Sequence, residues 1–169
     1  MTKDDFWNLI EKSKQLVGDG DCYDQAEIVQ SLLEELNPTD IEDFDRFYDE
    51  MRLESYDQQL WAAAYIINGG CSDDGFEYFR GWLISRGKEV FENAVKDPGT
   101  LVSEIPKEDE DLEYEDMLYV ARNAYEKKTG EEIPDRPPLE WNLKGEDWDE
   151  DKVDSLYPEL AKLADARWG

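Results

Sequence analysis

The sequence predicts an all-α, compact multi-helix domain around a buried central helix, with a long loop before a C-terminal helix. Three observations predict it. Apolar residues recur at helical spacing in successive segments. Glycine or proline punctuates those segments, and the alternating β-branched runs that mark strands are nearly absent. At 169 residues the chain fits one domain with a real core. Within it we expect an N-terminal helical core over 1–103, an acidic linker and helix start over 104–116, and C-terminal helices with a Trp- and Pro-bearing loop over 117–169.

The first helix is predicted over residues 4–17, where Phe6, Leu9, Ile10 and Val17 share a stripe that Gly18-Asp19-Gly20 ends. A second, over 23–36, aligns Ala26, Val29, Leu33 and Leu36, with Ile28 and Leu32 widening the stripe, before Asn37-Pro38 stops it. Thr39 then reads as an N-cap with Glu42 completing a capping box, opening a third helix that carries Phe44, Phe47, Tyr48 and Met51. Residues 56–68 contain Leu60-Trp61-Ala62-Ala63-Ala64-Tyr65-Ile66-Ile67, apolar on every face, so other elements must surround this helix.

Gly69-Gly70 ends the central helix, and Ser72 caps the next, with Asp73 and Asp74 in the favourable first turn and Phe76, Phe79 and Leu83 as its stripe. Val90, Phe91, Ala94 and Val95 mark a short helix closed by Asp97-Pro98. The run Glu108-Asp109-Glu110-Asp111 should repel itself and stay solvated, and a helix follows with Tyr114, Leu118, Ala121 and Tyr125, capped by Gly130. Residues 131–148 hold Pro134, Pro137 and Pro138 and read as a surface loop pinned by Trp141 and Trp148. The last helix, near 150–166, packs Val153, Leu156, Leu160, Leu163 and Ala164, with Pro158 as kink or restart.

Forty-four acids against 18 bases give a net charge of -26. Direct nucleic-acid binding is excluded on that ground, since phosphate affinity comes from Lys and Arg. Anionic membranes are disfavoured in the same way. With 40% hydrophobic residues the chain still folds. Histidine is absent, which removes the commonest general base and metal ligand. Two cysteines, Cys22 and Cys71, are too few for a disulfide scaffold and read as reduced structural thiols, Cys71 with its pKa lowered by a nearby helix N-terminus. The N-terminus lacks a secretory layout, so a cytoplasmic location is expected.

Several residues are candidates for function. Asp73, Asp74 and Glu77 offer oxygens on one helical turn to a divalent cation, although capping and dipole stabilisation explain the first two more simply. Arg80, Trp82 and Arg86 suggest an anion-recognising or cation–π patch, against the plainer reading of arginine as an ion-pair partner. Asp109 and Asp111 are a paired-carboxylate candidate for glycoside hydrolysis, weak in a solvated linker. Trp7, Trp61 and Trp82 read as core, and Trp141, Trp148 and Trp168 as loop anchors or an exposed interface. Arg80, Arg86, Trp141 and Trp148 make up the candidate interaction surface.

The motifs Phe6-Trp7-Asn8-Leu9-Ile10, Leu60-Trp61-Ala62-Ala63-Ala64-Tyr65, Gly69-Gly70-Cys71-Ser72-Asp73-Asp74-Gly75-Phe76 and Phe79-Arg80-Gly81-Trp82-Leu83-Ile84 occur in order. With them the chain resembles an uncharacterised bacterial family catalogued as domain of unknown function four-two-four-zero. Gly87, Phe91, Asp97-Pro98, Trp148 and Tyr157-Pro158-Glu159-Leu160 extend the resemblance over most of the chain. It implies a bacterial helical domain, found alone or near a WGR domain in larger proteins similar to molybdate-metabolism regulators. It brings no catalytic set and no cofactor.

The leading expectation is therefore a non-enzymatic protein-interaction or regulatory module that meets a protein partner, basic in character. One alternative is an inhibitor or immunity-like protein whose acids mimic nucleic acid. Another, of a different class, is a divalent-cation-dependent enzyme using carboxylate ligands.

Overall fold

Thr2 begins the first helix by accepting the Asp5 N–H, while the Asp5 carboxylate accepts the Thr2 N–H at 2.8 Å, a reciprocal cap. The structure, a computed structural model, describes residues 1–20, 22–106 and 112–168, and the side chains of 22 and 23 lie outside it. Asp109, Asp111 and the run 108–111 lie outside the described residues, as does the Cys22 side chain. Eight α-helices occur among the described residues, joined in places by short 3-10 helices. They are α1 (Lys3–Val17), α2 (Cys22–Glu34), α3 (Pro38–Glu54), α4 (Gln58–Asn68), α5 (Asp73–Ser85), α6 (Lys88–Lys96), α7 (Val120–Thr129) and α8 (Pro158–Trp168). No strand is formed among these residues, so the fold is all-α.

Helix α3 corrects the predicted cap. Asn37, not Thr39, is the N-cap: its side chain accepts the Asp40 N–H at 2.9 Å, and Pro38 fills the first helical position, where a missing N–H does no harm. Asn37-Pro38 thus starts α3, with two residues lying between it and the end of α2. Helix α4 is capped by Asp57 and ended by Gly69, whose φ of 68° is left-handed. Ser72 caps α5 as predicted, accepting the Gly75 N–H at 3.1 Å.

One hydrophobic cluster runs from Phe6 to Ala164 and draws on every α-helix. Phe6 packs on Phe44 at 4.8 Å and on Trp7 at 5.0 Å, and Trp7 meets Phe91 at 5.4 Å. Each such phenylalanine, fully enclosed, contributes about 1.5–3 kcal/mol. Helix α4 buries Leu60, all three alanines, Ile66 and Ile67, but Trp61 and Tyr65 are only half-buried. Their edge is covered by aromatic rings: Trp61 stacks on Phe76 at 4.9 Å and Tyr65 meets Trp148 edge-on at 5.3 Å.

Past α6 the chain departs from a simple helical reading. Leu112 and Tyr114 are buried, and the Tyr114 N–H donates to Tyr78 O at 2.9 Å, so the end of the acidic stretch docks on α5. The crossing is at Gly81, where a Cβ would stand 2.6 Å from Tyr114 O. The expected helix through Tyr114 and Leu118 is instead a 3-10 helix, Glu115–Leu118, before α7. The loop after α7 returns to α4, with Lys144 O accepting the Gln58 N–H at 2.7 Å and the Lys144 N–H donating to Tyr56 O at 3.2 Å. The chain then restarts at Pro158. That break, after a 3-10 helix Glu150–Ser155, shifts the helical phase and leaves Leu156 exposed where the continuous stripe placed it inside. Among the described residues no helix is long and apolar enough to cross a membrane.

Candidate functional site

Asp45, Tyr48, Asp49 and Arg52 recur at i, i+3, i+4 and i+7, so α3 presents them on one face. That face forms a wall of a cleft of about 480 Å³, closed by α7 and by the loop residues 132–139. Arg136 reaches in from the loop, pairing with Asp45 at 2.8 Å and also with Asp49. Arg52 donates to Asp49 at 2.8 Å and pairs across to Glu77 of α5. Burial pushes the Asp45 carboxyl up, and Arg136 opposes that shift. Burial likewise pulls the Arg52 guanidinium down, but Asp49 and Glu77 outweigh it and hold the net value up.

Arg80 differs from both. It is 2% exposed, and neither its Nε nor its Nη1 has a hydrogen-bond partner among the described residues. Its guanidinium carbon lies 4.4 Å from the Phe76 ring centroid, 5.0 Å from Tyr56 and 5.6 Å from Trp141. Burial, with Arg52 nearby, pushes its pKa down to about 10, which leaves it cationic at neutral pH. Three cation–π contacts at about 0.5–2 kcal/mol each only partly offset a desolvation penalty of several kcal/mol for a buried ion.

The ring that joins these groups is Trp141. It meets Tyr56 edge-on at 5.2 Å, lies 5.1 Å from the Arg52 guanidinium, and remains 41% exposed. Tyr119, which lines the cleft, is 44% exposed.

The sequence candidates fare unevenly. Glu77, Arg80 and Trp141 come together; Asp73 and Asp74 do not join them, being exposed in the first turn of α5. No group of three acids or thiols placed to hold a metal occurs among the described residues. Arg86 is half-buried at the far end of α5, where its carbonyl accepts from Lys14 Nζ at 3.2 Å. Trp82 is core, packed on Phe79 at 5.4 Å, and makes no patch with Arg80. Trp148 is half-buried against Tyr65. Arg80 makes no ion pair among the described residues: Glu77, whose charge still favours the cation, is turned to Arg52. The Cys71 pKa is also corrected: burial and the Glu113 carboxylate push it up to about 12, against the lowering expected from the helix end. Asp45, Asp49, Tyr48, Arg52 and Arg136 were missed, although the 45/49/52 spacing on one helix face was available as a signal.

A family model described as a protein of unknown function, DUF4240, matches residues 1–127. The chain belongs to that family. The matched part of this DUF4240 protein carries Asp45, Asp49, Arg52, Glu77 and Arg80, whereas Arg136 and Trp141 fall beyond it. No curated protein and no solved structure matches the chain.

Proposed function

We propose that this DUF4240 protein is a non-enzymatic binding module that presents an acidic, aromatic-rimmed cleft to a basic protein partner. The observation that carries the reading is the pair of exposed rings, Tyr119 on the cleft with the exposed carboxylates Glu126, Glu132 and Asp135, and Trp141 over Arg52. Exposed tyrosine and tryptophan supply large contact areas at low entropic cost. A surplus of acids speeds encounter with a basic surface. The buried Asp45 and the half-buried Asp49 are both held by arginines, which suits a structural role better than acid–base work.

The test is capture from native lysate at low and at moderate salt, comparing the wild type with a Tyr119→Ala/Trp141→Ala double variant. The reading expects basic polypeptides that survive moderate salt on the wild type and are lost on the variant. Recovery of the same polypeptides by both proteins, or of none, would refute it.

A further inference from the structure

We propose that Arg80 anchors a buried oxyanion site that takes the carboxylate group of a ligand entering from the cleft between α3 and α7. Four buried polar atoms lack a hydrogen-bond partner among the described residues and belong to three neighbouring side chains: Arg80 Nε and Nη1, Arg52 Nε, and the Tyr48 hydroxyl. Tyr48 and Arg52 line the cleft, and the Trp141 ring touches Arg52 and Arg80 together. Buried donors are ordinarily paired, because an unmade bond costs about 1–3 kcal/mol and more for a charged group. A cluster of such donors around one guanidinium fits an absent acceptor.

The charge pattern selects the ligand. Asp45 and Asp49 are taken by Arg136, and Asp49 and Glu77 by Arg52, so the carboxylates of the cluster are spent before Arg80 is reached. Among these paired and buried groups three arginines and three carboxylates balance, Arg122 standing outside the set as an exposed residue of the cleft wall that also acts on Asp45. An entering carboxylate leaves the cluster one charge negative and a phosphate dianion two, in a protein whose net charge is already -26. The monoanion is therefore preferred. Phe76, Tyr56 and Trp141 lie against the guanidinium and exclude water, which strengthens any charge-assisted bond made there.

The experiment titrates sodium acetate into the full chain at constant ionic strength against chloride, reading the melting temperature. Acetamide serves as the uncharged isostere and inorganic phosphate as the second anion. A ligand that prefers the folded state raises the melting temperature in a saturable way. We expect that rise with acetate, none with acetamide, a smaller one with phosphate, and loss of the acetate response in Arg80→Met. Tryptophan fluorescence should change with the same midpoint in the wild type, and not in Trp141→Phe. No saturable rise, an equal rise with acetamide, or an unchanged acetate response in Arg80→Met overturns the site. A stronger response to phosphate overturns the carboxylate assignment. Should Arg80→Met fail to fold, the Arg80 Nε–H resonance of the wild type decides: movement with acetate supports the site, and a stationary signal overturns it.

Discussion

Arg80 lies one helical turn beyond Phe76 with its guanidinium carbon 4.4 Å from the Phe76 ring centroid, and it faces aromatic rings where a carboxylate would be expected. The nearest acid on the same helix, Glu77, is drawn away to Arg52. A cation has thus been placed in the interior while its natural partner serves another residue.

The crossing at Gly81 should be intolerant of any side chain. Its Cβ would stand 2.6 Å from Tyr114 O, a backbone atom that cannot swing aside, and 3.1 Å from the Tyr48 hydroxyl. Gly81→Ala is expected to lower stability by roughly 1–3 kcal/mol, as overpacking does. Chemical denaturation reads it, and an unchanged midpoint would show that the 112–114 segment yields.

At the start of α5 the cap outweighs the charges. Ser72→Ala removes the acceptor of the Gly75 N–H and should cost about 1 kcal/mol. Asp73→Asn and Asp74→Asn each remove a dipole interaction of about 0.3–1 kcal/mol while keeping shape. Melting of the three variants with and without Mg²⁺, Ca²⁺ or Mn²⁺ checks this, and the order expected is Ser72→Ala lowest. A saturable cation-induced rise that either asparagine variant abolishes would instead assign these acids a metal.

Much of this was legible because it is local. Gly69, Ser72 and Gly130 announce helix ends through backbone needs that neighbouring residues cannot alter. Asn37-Pro38 carries both a stop and a start signal, and the local cap, with Asn37 accepting the Asp40 N–H and Pro38 at the first helical position, makes it the start. Leu112 is hidden behind an acidic run that sets the average character of its stretch, while Tyr114, legible as an apolar position, is buried on α5 without being helical. The site was harder still. Asp45 and Arg136 are far apart in sequence, and no periodicity predicts that a loop arginine returns to α3. The sequence reading did single out Arg80 and Trp141, but which ring would stand beside which cation depends on how α3, α5 and the loop meet.

Alkaline pH should unfold the protein through its tyrosines. Burial holds the Tyr48 phenol well above its ordinary value of 10.0 and pushes Tyr157 up to about 12. A folded state that favours the neutral phenol keeps that stability below pH ~10 and loses it as pH rises through the folded values. Tyrosinate absorbance against pH, followed alongside helicity, should show late-ionising phenols released together with unfolding. Complete ionisation before any loss of helicity would contradict the burial of Tyr48.

The central claim is that Arg80 is held inside at a cost to the fold, unlike Arg52, which its carboxylates pay back. Equilibrium denaturation of Arg80→Met and Arg52→Met, in chloride buffer without added carboxylate, tests it most directly. Replacing a buried ion by an apolar side chain removes that ion's desolvation penalty of several kcal/mol, whereas removing one member of a buried pair strands the other. The account predicts Arg80→Met within about 1 kcal/mol of the wild type or above it, and Arg52→Met lower by roughly 2–3 kcal/mol, less than the ~3–5 kcal/mol of a fully broken buried pair because Glu77 loses its arginine while Asp49 keeps Arg136. An Arg80→Met protein destabilised as much as Arg52→Met would contradict it.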